Sequence, residues 1–189
     1  MKRNLIILSV GFSLLCNFNT SAHAVPGNSV QTVKNWAKQH SLLSPLGRGI
    51  AELSGLPFYT SQATLSNGTV VFSMSPDRQD KISQRETIAF ATAEPFAGFT
   101  RQNLDLIRRI YSSAIANDFR ASQYIAKVDY HSVENRYFRG KQFGYRTTAF
   151  KEANDGRKFY HFTILPLESL NGTIQGDRQC RQQSQFGCE

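Results

Sequence analysis

Past the first 24 residues the chain carries three histidines, His40, His131 and His161. His131 and His161 fall on segments that alternate like strands, with Glu134 just after the first and Arg146 on the segment between them. That set holds a base, an acid and a cation for a developing negative charge. It is the combination that cleaves phosphodiesters: one group takes a proton, another returns it, and a guanidinium steadies the charged intermediate. The spacing of His131, Glu134, Arg146 and His161 is not itself diagnostic, and a plain polar sheet face is the preferred reading of the same residues. His40 lies on the apolar stripe of a helix and reads as a half-buried, hydrogen-bonded helix-end residue.

A second pattern is charge interleaved with rings. Between Arg136 and Lys158 stand seven basic residues, opposed only by Glu152 and Asp155, with Tyr137, Phe138, Phe143, Tyr145 and Phe150 among them. A face that mixes cations and aromatic rings holds an anionic polymer by pairing and stacking. The anion-binding candidates are Arg136, Arg139, Lys141, Arg146 and Lys158. Strand alternation sends neighbours to opposite faces, so core aromatics with solvated basic residues is the competing description.

Other chemistries lack their residues. Gly47-Arg48-Gly49 has neither the later glycine nor the lysine of a phosphate-cradling loop. No serine sits in a G-x-S-x-G elbow. No histidine pair has metal-ligand spacing, and Asp77 with Asp80 is too small a set for calcium, so neither a metal nor a cofactor is implied. Asn67-Gly68-Thr69 and Asn171-Gly172-Thr173 satisfy the N-x-[ST] rule, but the first is already explained as a turn.

The chain opens like an export signal. Lys2 and Arg3 precede an apolar run from Leu5 to Leu15, and Ala22-His23-Ala24 supplies the small residues that signal peptidase admits. The run is about half of the roughly 20 residues that a membrane-spanning helix needs, so no retained anchor is expected. Cleavage after Ala24 lowers the formal charge from +8 to +6. Cys16 leaves with the leader. Cys180 and Cys188 remain and can close a small loop by a disulfide in an oxidising compartment.

Positioning these residues requires the following elements. Asn28 or Ser29 caps a helix running to about Leu42, ended by Ser44-Pro45. Phe58 to Leu65 and Thr69 to Met74 form a hairpin about Asn67-Gly68. Thr87 to Ala93 is a third strand. Thr100 caps a long amphipathic helix to Phe119. Gln123 to His131, a long bulged Arg136 to Phe150 and Lys158 to Leu165 are three more strands, the bulge being needed because no single parity keeps the charges together. A tight turn at Asn154-Asp155-Gly156 pairs Phe150 with Tyr160, Thr148 with Phe162 and Arg146 with Ile164.

The order α-βββ-α-βββ makes an α+β fold: a mostly antiparallel sheet of about six strands with two helices packed on it, with an α/β/α sandwich as the alternative. Residues 25–168 form the single domain, after the 1–24 leader, and 169–189 form an irregular tail. The expected protein is small, basic and exported to the periplasm or the exterior. It reads as a non-catalytic binding or accessory module for an anionic polymer or surface, or for an envelope protein. A small phosphodiester-cleaving hydrolase using His131 and His161 is the alternative.

Overall fold

A computed structural model of the protein describes residues 24–52, 54–65, 68–92, 101–130, 133–150 and 158–183. Within them lie α1 (Val30–Gln39), β1 (Gly47–Ile50), β2 (Pro57–Leu65), β3 (Gly68–Pro76), β4 (Ser83–Thr92), α2 (Arg101–Ile110), α3 (Ser113–Arg120), β5 (Gln123–Tyr130), β6 (Val133–Arg139), β7 (Phe143–Phe150), β8 (Lys158–Pro166) and α4 (Leu170–Gln183). The eight strands form one open sheet in the order β1-β2-β3-β4-β8-β7-β6-β5, every ladder antiparallel. Two four-strand meanders thus meet where β4 pairs with β8, leaving β1 and β5 at the edges.

Alternation along the strands gives the sheet two different faces. Ile164 belongs to one apolar cluster and its neighbour Leu165 to another. The first face carries Tyr59, Phe72, Met74, Ile88, Tyr145 and Phe162, and is covered by α1, α2 and α3 through Val33, Trp36, Ile107, Ile110, Ile115 and Phe119. Trp36 lies 5.2 Å from Phe72 and Phe119 lies 4.8 Å from Phe162, ring centroid to centroid. Each fully buried side chain of this size contributes roughly 1.5–3 kcal/mol. Ala24 is buried and Val25 packs against the same core.

Local signals explain most of the elements. Ser29 caps α1, its Oγ accepting from the Thr32 N–H at 3.0 Å. The helix stops at Gln39, short of the expected Leu42, and His40 is its hydrogen-bonded end residue: its Nδ1 accepts from the Leu42 N–H at 3.2 Å, which leaves the proton on Nε2 to donate to the Arg109 carbonyl at 3.1 Å. One ring therefore ties the ends of α1 and α2 together.

The fold is broadly α+β, but the described residues hold eight strands and four α-helices where about six and two were expected. β1 escaped notice because it is four residues long and half glycine. The segment Arg136 to Phe150 is not one bulged strand. The chain reverses at Gly140, whose N–H donates to the Phe143 carbonyl at 2.9 Å, and the parity of the charges changes because the strand does. A Cβ at Gly140 would press on Asp118 and come within 2.7 Å of Tyr145, so glycine alone fits that corner. The expected long helix is two helices, α2 and α3, separated where Ser112 takes up a cap: its Oγ accepts from the Ile115 N–H at 3.3 Å. The β2–β3 hairpin turns one residue earlier than expected, between Leu65 and Gly68, with Gly68 opening β3 at φ +141°.

The expected irregular tail is helical as far as Gln183. Leu170, Ile174 and Asp177 recur at four and three residues along α4, and the two apolar ones are buried against Ala126, Val128, Tyr137 and Leu165 on the second sheet face. Gly172, Gly176 and the glutamines hide so short a stripe in the sequence. The helix approaches closely because Gly144 beneath it has no side chain: a Cβ there would meet Leu170 at 3.0 Å. His131, Thr100, the Asn154-Asp155-Gly156 turn, Cys188 and residues 1–23 of the leader lie outside the described residues, as does the expected Cys180–Cys188 pairing.

Candidate anion-binding site

The register of β4, β8, β7 and β6 assembles a polar patch on the second face. Across the sheet run the neighbours Thr87, Thr163, Arg146 and Tyr137, each opposite the next. One step along lie Ala89, His161, Thr148 and Asn135. Thr163 is fully buried at the centre. Its hydroxyl meets that of Thr87 at 3.1 Å, and Arg85, two residues before Thr87, donates to Ser75 Oγ at 3.4 Å. The expected β7–β8 register, with Arg146 opposite Ile164, is wrong by one residue. Because side chains alternate, that slip would have driven Arg146 into the apolar core; opposite Thr163 it lies on the polar face.

His161 is half-buried, its ring 4.7 Å edge-on to Phe150. Burial pushes its pKa down to about 4, and repulsion from Arg146 and then Arg85 adds to the shift. At neutral pH the imidazole is uncharged, with two guanidiniums close enough to oppose its protonation. The patch therefore collects positive charge without adding a third cation.

The α4 side of the patch is tied by Asp177. Its Oδ2 accepts from Asn135 Nδ2 at 2.6 Å, from the Tyr137 hydroxyl, and from Arg146 Nη1 at 3.5 Å. Asn135 in turn accepts from Thr148 at 2.6 Å. Burial, then the bond to Asp177, raises the Tyr137 hydroxyl pKa above its ordinary value. Arg146 and Asp177 are 14% and 13% exposed, so theirs is a largely desolvated pair. Arg146 Nε is buried with no hydrogen-bond partner among the described residues.

The candidates named from sequence are divided by this arrangement. His161 and Arg146 come together. Glu134 does not join them: it alternates with Asn135 and faces the opposite side, held by Lys127 at 2.9 Å and Arg136 at 2.6 Å. The bond from Lys127, then that from Arg136, holds its carboxyl below the usual range. Arg136 shares that opposite face. Arg139 returns to the α4 side, donating to Asn171 Oδ1 at 3.3 Å, and Lys141 is exposed on the β6–β7 turn. Lys158 begins β8 with only its backbone described. The five anion-binding candidates thus do not form one stripe. The interleaved rings of Phe138, Phe143 and Tyr145 pack with the first-face core and Tyr137 with the second. Among the described residues no group of three or more acidic, histidine or cysteine side chains is placed to hold a metal.

Arg85, Thr87, Thr163 and Asp177 were not singled out by sequence reasoning. Thr87 was read as the start of its strand, whereas β4 begins at Ser83, and that difference left Arg85 in a loop. The in-phase run Arg85, Thr87, Ala89 was the available signal.

Another ionisable group is buried on the first face. Glu86 is fully buried beside Ile88 on β4, with Oε1 accepting from Ser83 Oγ at 2.9 Å and Oε2 without a partner among the described residues. Burial raises its pKa to about 8. The buried Tyr111 hydroxyl likewise has no partner among the described residues; burial, then the Glu86 charge, raises its pKa well above the ordinary value.

Compared with known protein families, curated proteins and solved structures, the chain matches none.

Proposed function

We propose that the chain is a small exported protein that acts, in the periplasm or outside the cell, as a non-catalytic binding or accessory module for an anionic ligand or an acidic envelope partner. The observation that carries this reading is the charge of Arg146 and Arg85 acting on a half-buried His161 across one sheet face, with Asp177 bonded to Arg146. The formal charge of +8, or +6 without the leader, supports it by drawing acidic partners over distance. The hydrolytic alternative has less support, because Glu134 faces away from His161 and Arg146, and an imidazole with a pKa of about 4 is a poor proton donor at neutral pH.

Purified protein beginning at Val25 is expected to bind immobilised heparin in a salt-dependent way, eluting later than a control matched in size and net charge. Elution together with the control would remove the support for a dedicated anionic ligand. Export is read from Lys2-Arg3, the apolar Leu5 to Leu15 run and Ala22-His23-Ala24. Mass spectrometry of the protein from its native cell is expected to show a Val25 start and a bond between Cys180 and Cys188. An intact Met1 in a cytosolic fraction would contradict that part of the reading.

A further inference from the structure

We propose that β5 pairs with β5 of a second copy of this chain, antiparallel about a two-fold axis at Val128, so that two sheets become one. This contact lies at the edge of the sheet and does not depend on the anionic-ligand reading.

β5 is the last strand of the sheet, so one row of its backbone N–H and C=O groups faces no strand among the described residues. Such a row is a template for another strand. The opposite edge, β1, is four residues long and half glycine, a short edge of the kind that resists pairing. β5 has eight residues. Its ladder to β6 is interrupted between Tyr124 and Ala126, but it is regular from Ala126 to Tyr130, and Val128 is the middle of that stretch. Helix α4 covers one side of the stretch through Ala126 and Val128. On the other side Lys127 and Asp129 are 42% and 48% exposed.

Charge identifies the occupant. Within the chain each of these two residues stands directly opposite a like charge on β6, Lys127 opposite Arg136 and Asp129 opposite Glu134. Like charges so placed repel. The ion pairs that form run diagonally or along the strand: Lys127 reaches Glu134 at 2.9 Å and Asp129 at 3.0 Å. An ammonium has three N–H donors, so two such bonds leave one to give. A second copy turned about Val128 supplies the missing opposite charges on the open side. Its Asp129 stands opposite Lys127, and its Lys127 opposite Asp129. One step of slip either way would set Lys127 against Lys127 or Asp129 against Asp129, so the same charges fix the register. A strand of another protein would carry this alternation only by chance, whereas a second copy carries it necessarily.

An axis normal to the sheet keeps like faces together. The polar patches around Arg146 and His161 then lie on one side of the joined sheet, where an extended ligand can attach at two points.

The test is sedimentation velocity of the chain beginning at Val25, from low micromolar to near-millimolar concentration. The native chain is compared with Asp129→Lys and with the double exchange Lys127→Asp plus Asp129→Lys. The native chain is expected to pass from monomer to dimer as concentration rises, with slower amide exchange over 126–130 in the dimer. Asp129→Lys sets lysine against lysine across the axis and is expected to weaken the dimer at least about tenfold. The double exchange reverses both charges and is expected to restore it. It also faces each exchanged charge with an opposite one on β6, which favours the fold. A native chain that stays monomeric throughout, a dimer indifferent to Asp129→Lys, or a loss that the double exchange does not repair would overturn the proposal.

Discussion

Replacing Glu86 by Gln is expected to increase stability at pH 8 by on the order of 5 kcal/mol relative to the native chain, with little gain at pH 4.5. The folded carboxyl has a pKa of about 8 against an ordinary 4.5. Its contribution is fully present below pH 4.5 and is lost as pH rises through about 8, because the folded state binds a proton that the unfolded state has released. Glutamine keeps an oxygen for the Ser83 hydroxyl and never ionises, so it removes that slope. His161 acts in the opposite sense. Its folded pKa of about 4 lies below the ordinary 6.5, so its contribution is present above pH 6.5 and lost as pH falls through about 4. In the native chain the two slopes oppose each other between about pH 4.5 and 6.5, and stability then falls toward pH 8. Urea denaturation at pH 4.5, 6.5 and 8 in buffers without phosphate measures this. Parallel curves for the native and Glu86→Gln proteins would show that the carboxyl is not held protonated in the core.

Asp177→Ala should cost about 3 kcal/mol, because it strips the acceptor from Asn135, Tyr137 and Arg146 and leaves a largely desolvated guanidinium without its carboxylate. The loss concentrates on α4, where Leu170 and Ile174 then hold the helix with little polar help. Amide exchange should accelerate across 170–183 more than in β4 or β8. Asp177→Asn, which retains an acceptor oxygen but not the charge, is expected to fall between the two. Unchanged exchange in the alanine variant would mean that apolar contacts alone dock α4.

Much of the framework was legible where a local rule acts alone. Ser29 caps α1, His40 closes it, and the strand containing Tyr160, Phe162 and Ile164 puts His161 on the other face, as alternation requires. What failed depended on distant parts of the chain. A reversal at Gly140 looks like a bulge until Asp118 and Tyr145 are seen to fill its corner. The β7–β8 register depends on the connection through residues 151–157, and a change of one residue there moves Arg146 from core to polar face. Glu86 and Arg85 are adjacent charges in one strand. Nothing local states that the carboxyl is the one turned inward and the guanidinium the one at the candidate site. Helix α4 forms because Gly144 clears a place for Leu170, a condition written 26 residues earlier in the chain.

The account depends most on an uncharged His161 lying within the charge field of Arg146 and Arg85. The direct test is the ring-nitrogen NMR titration of His161, assigned with His161→Gln, with and without saturating phosphate. A pKa near 4 in the ligand-free protein, moving upward once the anion is bound, is the predicted result. An ordinary value near 6.5 that ignores phosphate would contradict it.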